Sequence, residues 1–98
     1  MLDHLIETLR GPEHFTPLVL QYALNGLGKV GNHEHIALIA PFTTSQHERK
    51  TRLAAVAALG NLGGDQAADA LLKLINDSDI VIRWQAQEAL DKLFREQG

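Results

Sequence analysis

The sequence predicts an all-α solenoid, built as a stack of three helix pairs with six helices in total. The main observation is an internal repeat, because RLAAVAALG at residues 52–60 returns 31 residues later as RWQAQEALD. An earlier segment, residues 27–42, matches residues 59–74 at an offset of 32 residues. Ala and Leu dominate the composition and β-branched residues are sparse, which favours helix. A fixed period of this length is typical of a solenoid.

The first helix pair is delimited by local start and stop signals. Apolar residues recur at helical spacing over residues 2–9, and the Gly-Pro pair that follows stops this first helix. Thr16 before Pro17 predicts an N-cap with proline at the first helical position. A second helix should therefore run over about residues 17–30.

The second pair begins at Asn32, which predicts the cap of a third helix that ends near Pro41. Ser45 and Glu48 stand three residues apart, which is the spacing of a capping box. We therefore expect the fourth helix to begin just after Ser45 and to cover about residues 46–62.

The third pair begins at Asp65, the predicted cap of a fifth helix whose inward residues would be Ala68, Leu71, Leu72 and Ile75. Asp79 predicts the cap of a sixth helix over about residues 80–96, with a core face of Ile82, Ala86, Ala89, Leu90 and Leu93. The chain is then a single domain, 1–98, with repeats at approximately 2–31, 32–64 and 65–98.

The composition narrows the classes of function. The net charge of −3 argues against a general binder of nucleic-acid phosphates, which would carry a basic excess. The chain has no cysteine, so disulfides and thiol chemistry are excluded. No apolar run approaches the roughly 20 residues of a membrane span, and the N-terminus does not resemble a signal peptide. We expect a soluble cytoplasmic protein with no membrane contact.

The segment LGGDQAADALLKLINDSDIVIRWQAQEAL resembles the HEAT-like repeat of the phycobilin-lyase type. The residues that match this pattern are Gly64, Asp65, Asp77, Asp79, Ile82, Arg83, Ala86, Ala89 and Leu90. The resemblance implies an α-solenoid of three HEAT-like helix pairs. Members of this repeat class mostly hold other proteins, some attach or detach bilin chromophores, and some relatives bind DNA. The fold itself does not choose among these functions.

No motif in the chain predicts catalysis, a cofactor or a metal site. His33 and His35 are two residues apart, which places them on different faces of a helix. Zinc needs three or four ligands, and no further ligand is close in sequence. No nucleophile motif, phosphate-binding loop or carboxylate pair stands out. We predict no enzyme activity for this chain.

Arg52 and Arg83 occupy the same position in successive repeats. We expect them to bind acids of the turns between helices, such as Asp77 or Asp79, because charge-assisted pairs commonly fix such turns. Ligand binding by these arginines is the alternative.

A candidate partner-binding face follows from aligning the second helices. Gln21, Leu53 and Trp84 fall in one column; Asn25, Ala57 and Glu88 fall in the next, with Asp91 nearby. Trp84 lies opposite the core stripe of its helix, so we expect it to anchor a partner protein, with Leu53 beside it. The alternative is that Trp84 packs across a neighbouring helix.

The predicted function is therefore a non-catalytic protein-binding scaffold or adaptor that uses the face lined by the second helix of each repeat. The alternatives are a bilin-lyase-like role in handling a chromophore on a phycobiliprotein, and weak nucleic-acid binding. Solenoids need polar terminal caps for solubility. Neither terminal helix is uniformly polar, so we also expect either self-association through residues 2–9 and 90–94 or a longer parent chain.

Overall fold

The structure, a computed structural model, describes residues 2–97, which form helices and turns without any strand. Its α-helices are α1 (Leu2–Arg10), α2 (Pro17–Val30), α3 (Ile36–Ile39), α4 (Arg49–Leu62), α5 (Gly64–Leu72) and α6 (Ile80–Gln97). Short 3-10 helices occupy Pro12–His14, His33–His35 and Ala40–Thr43. The predicted all-α class is confirmed. Within the described residues, no helix combines the length and apolar character needed to cross a bilayer.

The helices form two layers. In one layer α4 lies between α2 and α6 and contacts both of them along their length. In the other layer α1, α3 with its flanking 3-10 turns, and α5 pack against the second helix of their own pair. The core lies between the layers, and its fully buried large side chains include Leu24, Leu27, Ile39, Leu59, Leu71, Ile82 and Leu90. Burying each such side chain contributes about 1.5–3 kcal/mol.

The second helices approach one another closely at paired small residues. A Cβ atom added at Gly28 on α2 would lie 2.9 Å from the Cα of Ala58 on α4. A Cβ atom added at Gly60 on α4 would lie 3.2 Å from the Cβ of Ala89 on α6. Gly28 and Gly60 are repeat equivalents, as are Ala58 and Ala89. The same glycine-on-alanine contact therefore sets the spacing of both interfaces.

Three of the predicted caps are confirmed by side-chain hydrogen bonds. The Thr16 hydroxyl accepts from the Val19 backbone N–H at 3.4 Å, at the start of α2. The Asn32 side chain accepts from the Glu34 N–H at 2.9 Å, where it starts a 3-10 turn that leads into α3. The Asp79 carboxylate accepts from the Val81 N–H at 2.9 Å, at the start of α6.

The predicted capping box at Ser45 is wrong. Helix α4 begins at Arg49, its N-cap is Glu48, and no side chain caps it. Ser45 is exposed in a turn that closes with a hydrogen bond from the His47 N–H to the Thr44 carbonyl. This turn brings the centroid of the His47 ring to 4.8 Å from that of the buried Phe42 ring, a contact that favours a turn over helix for residues 44–47.

Helix α5 also begins earlier than predicted. Gly63 and Gly64 have φ values of 68° and 89°, a region that favours glycine, and Asp65 lies inside the first turn rather than at the cap. Leu71 is buried as predicted, and Ala68 and Ile75 pack partly buried against the core, but the predicted inward residue Leu72 is exposed. Ala67 is buried in addition, as is Leu74 just after the helix.

Candidate functional site

A buried ion pair fixes the turn between α5 and α6. The side chain of Arg52 is only 7% exposed, and its Nη2 and Nη1 atoms donate to the Asp77 carboxylate at 2.6 and 3.2 Å. Its Nε atom donates to the Thr43 carbonyl oxygen at 2.7 Å. The Arg52 guanidinium therefore bonds both Thr43, which ends the 3-10 turn before α4, and Asp77, which lies in the turn before α6. The predicted structural role of Arg52 is confirmed.

A second, more exposed pair flanks the first. The Nε atom of Arg49 donates to the Asp79 carboxylate at 2.8 Å, and the Arg49 side chain is 56% exposed. Exposed pairs of this kind contribute little to stability because water and salt screen them. The Asp77 carboxylate also accepts from the Asp79 backbone N–H at 2.9 Å, which orders the turn itself.

These contacts perturb both acids of the turn. The hydrogen bond from Arg52, followed by that from the Asp79 backbone N–H, holds the pKa of Asp77 below its ordinary value of 3.8. The hydrogen bond from Arg49 similarly lowers the pKa of Asp79, against an opposing effect of burial. Both carboxylates thus favour the charged form more strongly in the folded chain than in the unfolded chain.

We expect the protein to lose stability as the pH falls below about 4. Between the lowered pKa of folded Asp77 and 3.8, the unfolded chain binds more protons, so the free energy of unfolding falls with falling pH. Above pH 3.8 the contribution of this pair is fully present. Urea midpoints measured from about pH 7 to about pH 2.5 test this. The Asp77→Asn variant should show lower stability at neutral pH and a flatter acid limb; parallel acid limbs would contradict the assignment.

The prediction that Arg83 binds an acid of a turn between helices is wrong. This arginine is exposed and pairs with no acid among residues 2–95, whose side chains the structure describes. Arg49 and Arg52 on α4 both reach forward to the turn that precedes α6. Arg83 sits at the equivalent place on α6, and no acidic turn lies beyond that helix in the described part of the chain.

The structure separates the members of the first predicted column. Gln21 donates to Glu48 and Thr51 at 3.3 Å each, so it lies against the start of α4. Leu53 is half-buried and packs against the core, whereas Trp84 is 67% exposed. Equivalent positions point along the stack, each toward the next second helix, rather than sideways onto a common surface. Within residues 2–97, no helix lies in front of Trp84.

The second predicted column does form a shared exposed face. Asn25, Ala57 and Glu88 are all exposed on adjacent second helices, and we call them the lateral face. Ala57 and Glu88 also line a shallow groove of about 530 Å³ between α4 and α6. The same groove is also lined by Asp91 and by the cationic side chains of Lys92 and Arg95.

The exposed large apolar side chains concentrate at the two ends of the stack. Phe15, Leu18, Val19, Tyr22 and Val30 lie on or just before α2; Ile80, Trp84 and Phe94 lie on α6. Only Leu72, on α5, lies elsewhere among the exposed large apolar residues of the described chain. Tyr22 and Ile80 are exposed residues that were not predicted as part of a binding face. Their exposure could have been predicted, because helical spacing places each of them on the side of its helix opposite the buried residues.

The histidine pair shows no common site. His35 accepts a hydrogen bond from the Asn32 N–H through Nδ1 at 3.0 Å and thereby completes the cap of its turn. The His33 ring instead lies beside Gly64, 3.2 Å from where a Cβ atom would stand. In the described residues no three His, Asp or Glu side chains come together at metal-binding distances.

Comparison with known families agrees with this architecture. A family model for HEAT repeats matches residues 2–91, and the chain belongs to this family. Neither a curated protein nor a solved structure matches the chain. The match defines a class of helical-repeat protein but does not identify a subfamily within it. The resemblance to the phycobilin-lyase type therefore stays a prediction.

Proposed function

We propose that this protein is a non-catalytic protein-binding scaffold whose binding surface comprises the lateral face and the outward side of α6, with Trp84 as the anchor. The exposure of Trp84 carries the proposal. The core of α6 is supplied by residues on its opposite side, including Ile82, Ala86 and Leu90, so the indole contributes little to the fold. Large aromatic side chains in such positions are enriched among the residues that dominate binding energy.

The surroundings of Trp84 suit a protein partner. Glu88, one helical turn from Trp84, lines the neighbouring groove together with Asp91, Lys92 and Arg95. Polar and charged residues beside an apolar anchor are typical of protein interfaces. HEAT repeats are commonly interaction scaffolds, which supports the same conclusion. The net charge of −3 disfavours nucleic acid as the partner. We place the protein in the cytoplasm on its composition alone.

Binding measurements with matched variants test this proposal. The wild-type chain, Trp84→Ala and Leu72→Ala serve as baits in an extract of the native host, and affinities are then measured with the recovered partner. Loss of a true anchor costs at least about 2 kcal/mol, roughly 30-fold in Kd. Leu72 is an exposed apolar residue of the other layer, so Leu72→Ala should bind like the wild type.

Circular dichroism establishes that each bait is folded. A folded Trp84→Ala chain that binds its partner as tightly as the wild type would show that α6 is not the binding surface. Equal losses for Trp84→Ala and Leu72→Ala would point to a general effect on folding instead.

A further inference from the structure

One helix face at the end of the stack has no neighbour in the described chain. Five residues of α6 recur at alternating spacings of four and three and form what we call the α6 stripe: Ile80, Trp84, Gln87, Asp91 and Phe94. Its three apolar members are exposed by 63%, 67% and 54%. On the proposed function, in which Trp84 anchors a protein, we infer that the α6 stripe docks antiparallel on the same stripe of a second copy of this chain.

The repeat itself identifies the stripe as a stacking face. Its equivalents on α4, 31 residues earlier, are Arg49, Leu53, Val56, Gly60 and Gly63. These α4 positions face α6: Arg49 bonds Asp79 at 2.8 Å, and Cβ atoms at Gly60 and Gly63 would lie 3.2 and 3.3 Å from Ala89 and Leu93. The α6 stripe thus continues an interface that the chain already forms internally.

A head-to-tail copy does not fit this face at the internal spacing. Asp91 is the repeat equivalent of Gly28 and Gly60, whose lack of a side chain allows the next helix to approach closely. At the other end of the stack, Gly26 is the equivalent of Ala58, and the Leu5 side chain of α1 already covers it at 3.1 Å from a Cβ position. Both sides of the head-to-tail contact are therefore obstructed at the point of closest approach.

An antiparallel copy of α6 does not use the end of the stack that Leu5 covers, and it sets Asp91 near Trp84 rather than at a glycine-on-alanine contact. With a two-fold axis at Gln87, Ile80 and Phe94 exchange places, and Trp84 and Asp91 exchange places to within one residue, about 1.5 Å along the helix. Ile80 then lies level with Phe94 of the second copy. Trp84 lies within one residue of Asp91 of the second copy, where an indole N–H can donate to a carboxylate. Such an interface is used once by each copy and closes as a dimer.

The available area suits a weak dimer. With about 150–250 Å² for a large aromatic side chain, the exposed parts of the three apolar residues amount to roughly 300–400 Å² per copy. Two copies with their polar neighbours then approach about 1,200 Å², the lower end of stable interfaces. We expect a dissociation constant on the order of micromolar.

Sedimentation equilibrium at about 1 μM to about 500 μM tests the dimer. The expected result is a rise in mass from 10.8 kDa to twice that value and no further. Trp84→Ala should weaken the dimer at least about tenfold. Tyr22→Ala, which removes an exposed aromatic residue from the other end, should leave it unchanged. A mass that stays monomeric, grows beyond the dimer or depends on Tyr22 overturns the inference.

Cross-linking tests the antiparallel register without relying on the Trp84 variant. The chain has no cysteine, so single cysteines report cleanly. Gln87→Cys should give disulfide-linked dimers on mild oxidation, whereas Ile80→Cys alone should not, because Ile80 faces Phe94 of the second copy. The reverse pattern overturns the register. A chain that stays monomeric, yet loses another protein on Trp84→Ala, overturns the second-copy assignment and leaves the proposed function standing.

Discussion

Replacement of Arg52 by alanine is expected to destabilise the protein by about 3 kcal/mol, because removing one partner of a buried ion pair typically costs about 3–5 kcal/mol. The loss leaves the Asp77 carboxylate and the Thr43 carbonyl without their donor. Asp77 retains some access to water, which favours the lower end of that range. For a domain of this size, the melting temperature should fall by roughly 10–20 °C.

The chain supplies its own control in Arg83, the repeat equivalent of Arg52. Arg83 is exposed and unpaired among the described side chains, so Arg83→Ala should change stability by no more than about 0.5 kcal/mol. Thermal and urea unfolding of the two variants give the comparison directly. Similar losses in both would mean that the arginine position matters through helix propensity rather than through the ion pair.

Gly28→Ala is expected to lower the free energy of unfolding by about 1–2 kcal/mol. The new Cβ atom would lie 2.9 Å from the Cα of Ala58, so α2 and α4 must move apart. Overpacking of this kind costs about 1–3 kcal/mol, and the better helix propensity of alanine returns up to about 1 kcal/mol. Urea unfolding with a constant m-value measures the difference.

Gly26→Ala is the matched variant, two residues away on the same helix. Its Cβ atom would meet only the side-chain carbons of Leu5, at 3.1 and 3.2 Å. Leu5 is half-buried and can shift, so helix propensity should dominate and raise stability by up to about 1 kcal/mol. Stabilisation by both substitutions would show that the α2 and α4 contact is looser than the structure indicates.

Local signals in the sequence predicted those elements whose ends are set by their own side chains. Thr16 and Asp79 cap α2 and α6 through bonds to backbone groups two or three residues away, so short motifs suffice. The start of α4 could not be predicted in this way. Ser45 and Glu48 have the spacing of a cap, but contact between Phe42 and His47 favours a turn over that segment.

The candidate site was predictable only in part, for a similar reason. A helical wheel for α6 correctly places Trp84 opposite the core. A helical wheel does not show which side of each helix contacts the neighbouring helix. Leu53 was therefore predicted to lie on the surface, although its side chain faces along the stack. A usable signal was present in the pairing of Gly28 with Ala58 and of Gly60 with Ala89. These small residues mark the flanks where second helices touch.

The central position of α4 has a consequence for how the chain comes apart. Helix α4 is flanked on both sides, and through Arg49 and Arg52 it also anchors the turn that orients α6. In the part of the chain that the structure describes, the outer helices α2 and α6 each have one neighbour in their layer. Repeat arrays open from whichever end is least stabilised by its neighbour. Partial opening of either terminal pair therefore leaves α4 as the last cooperative unit, and complete unfolding requires the loss of both of its interfaces.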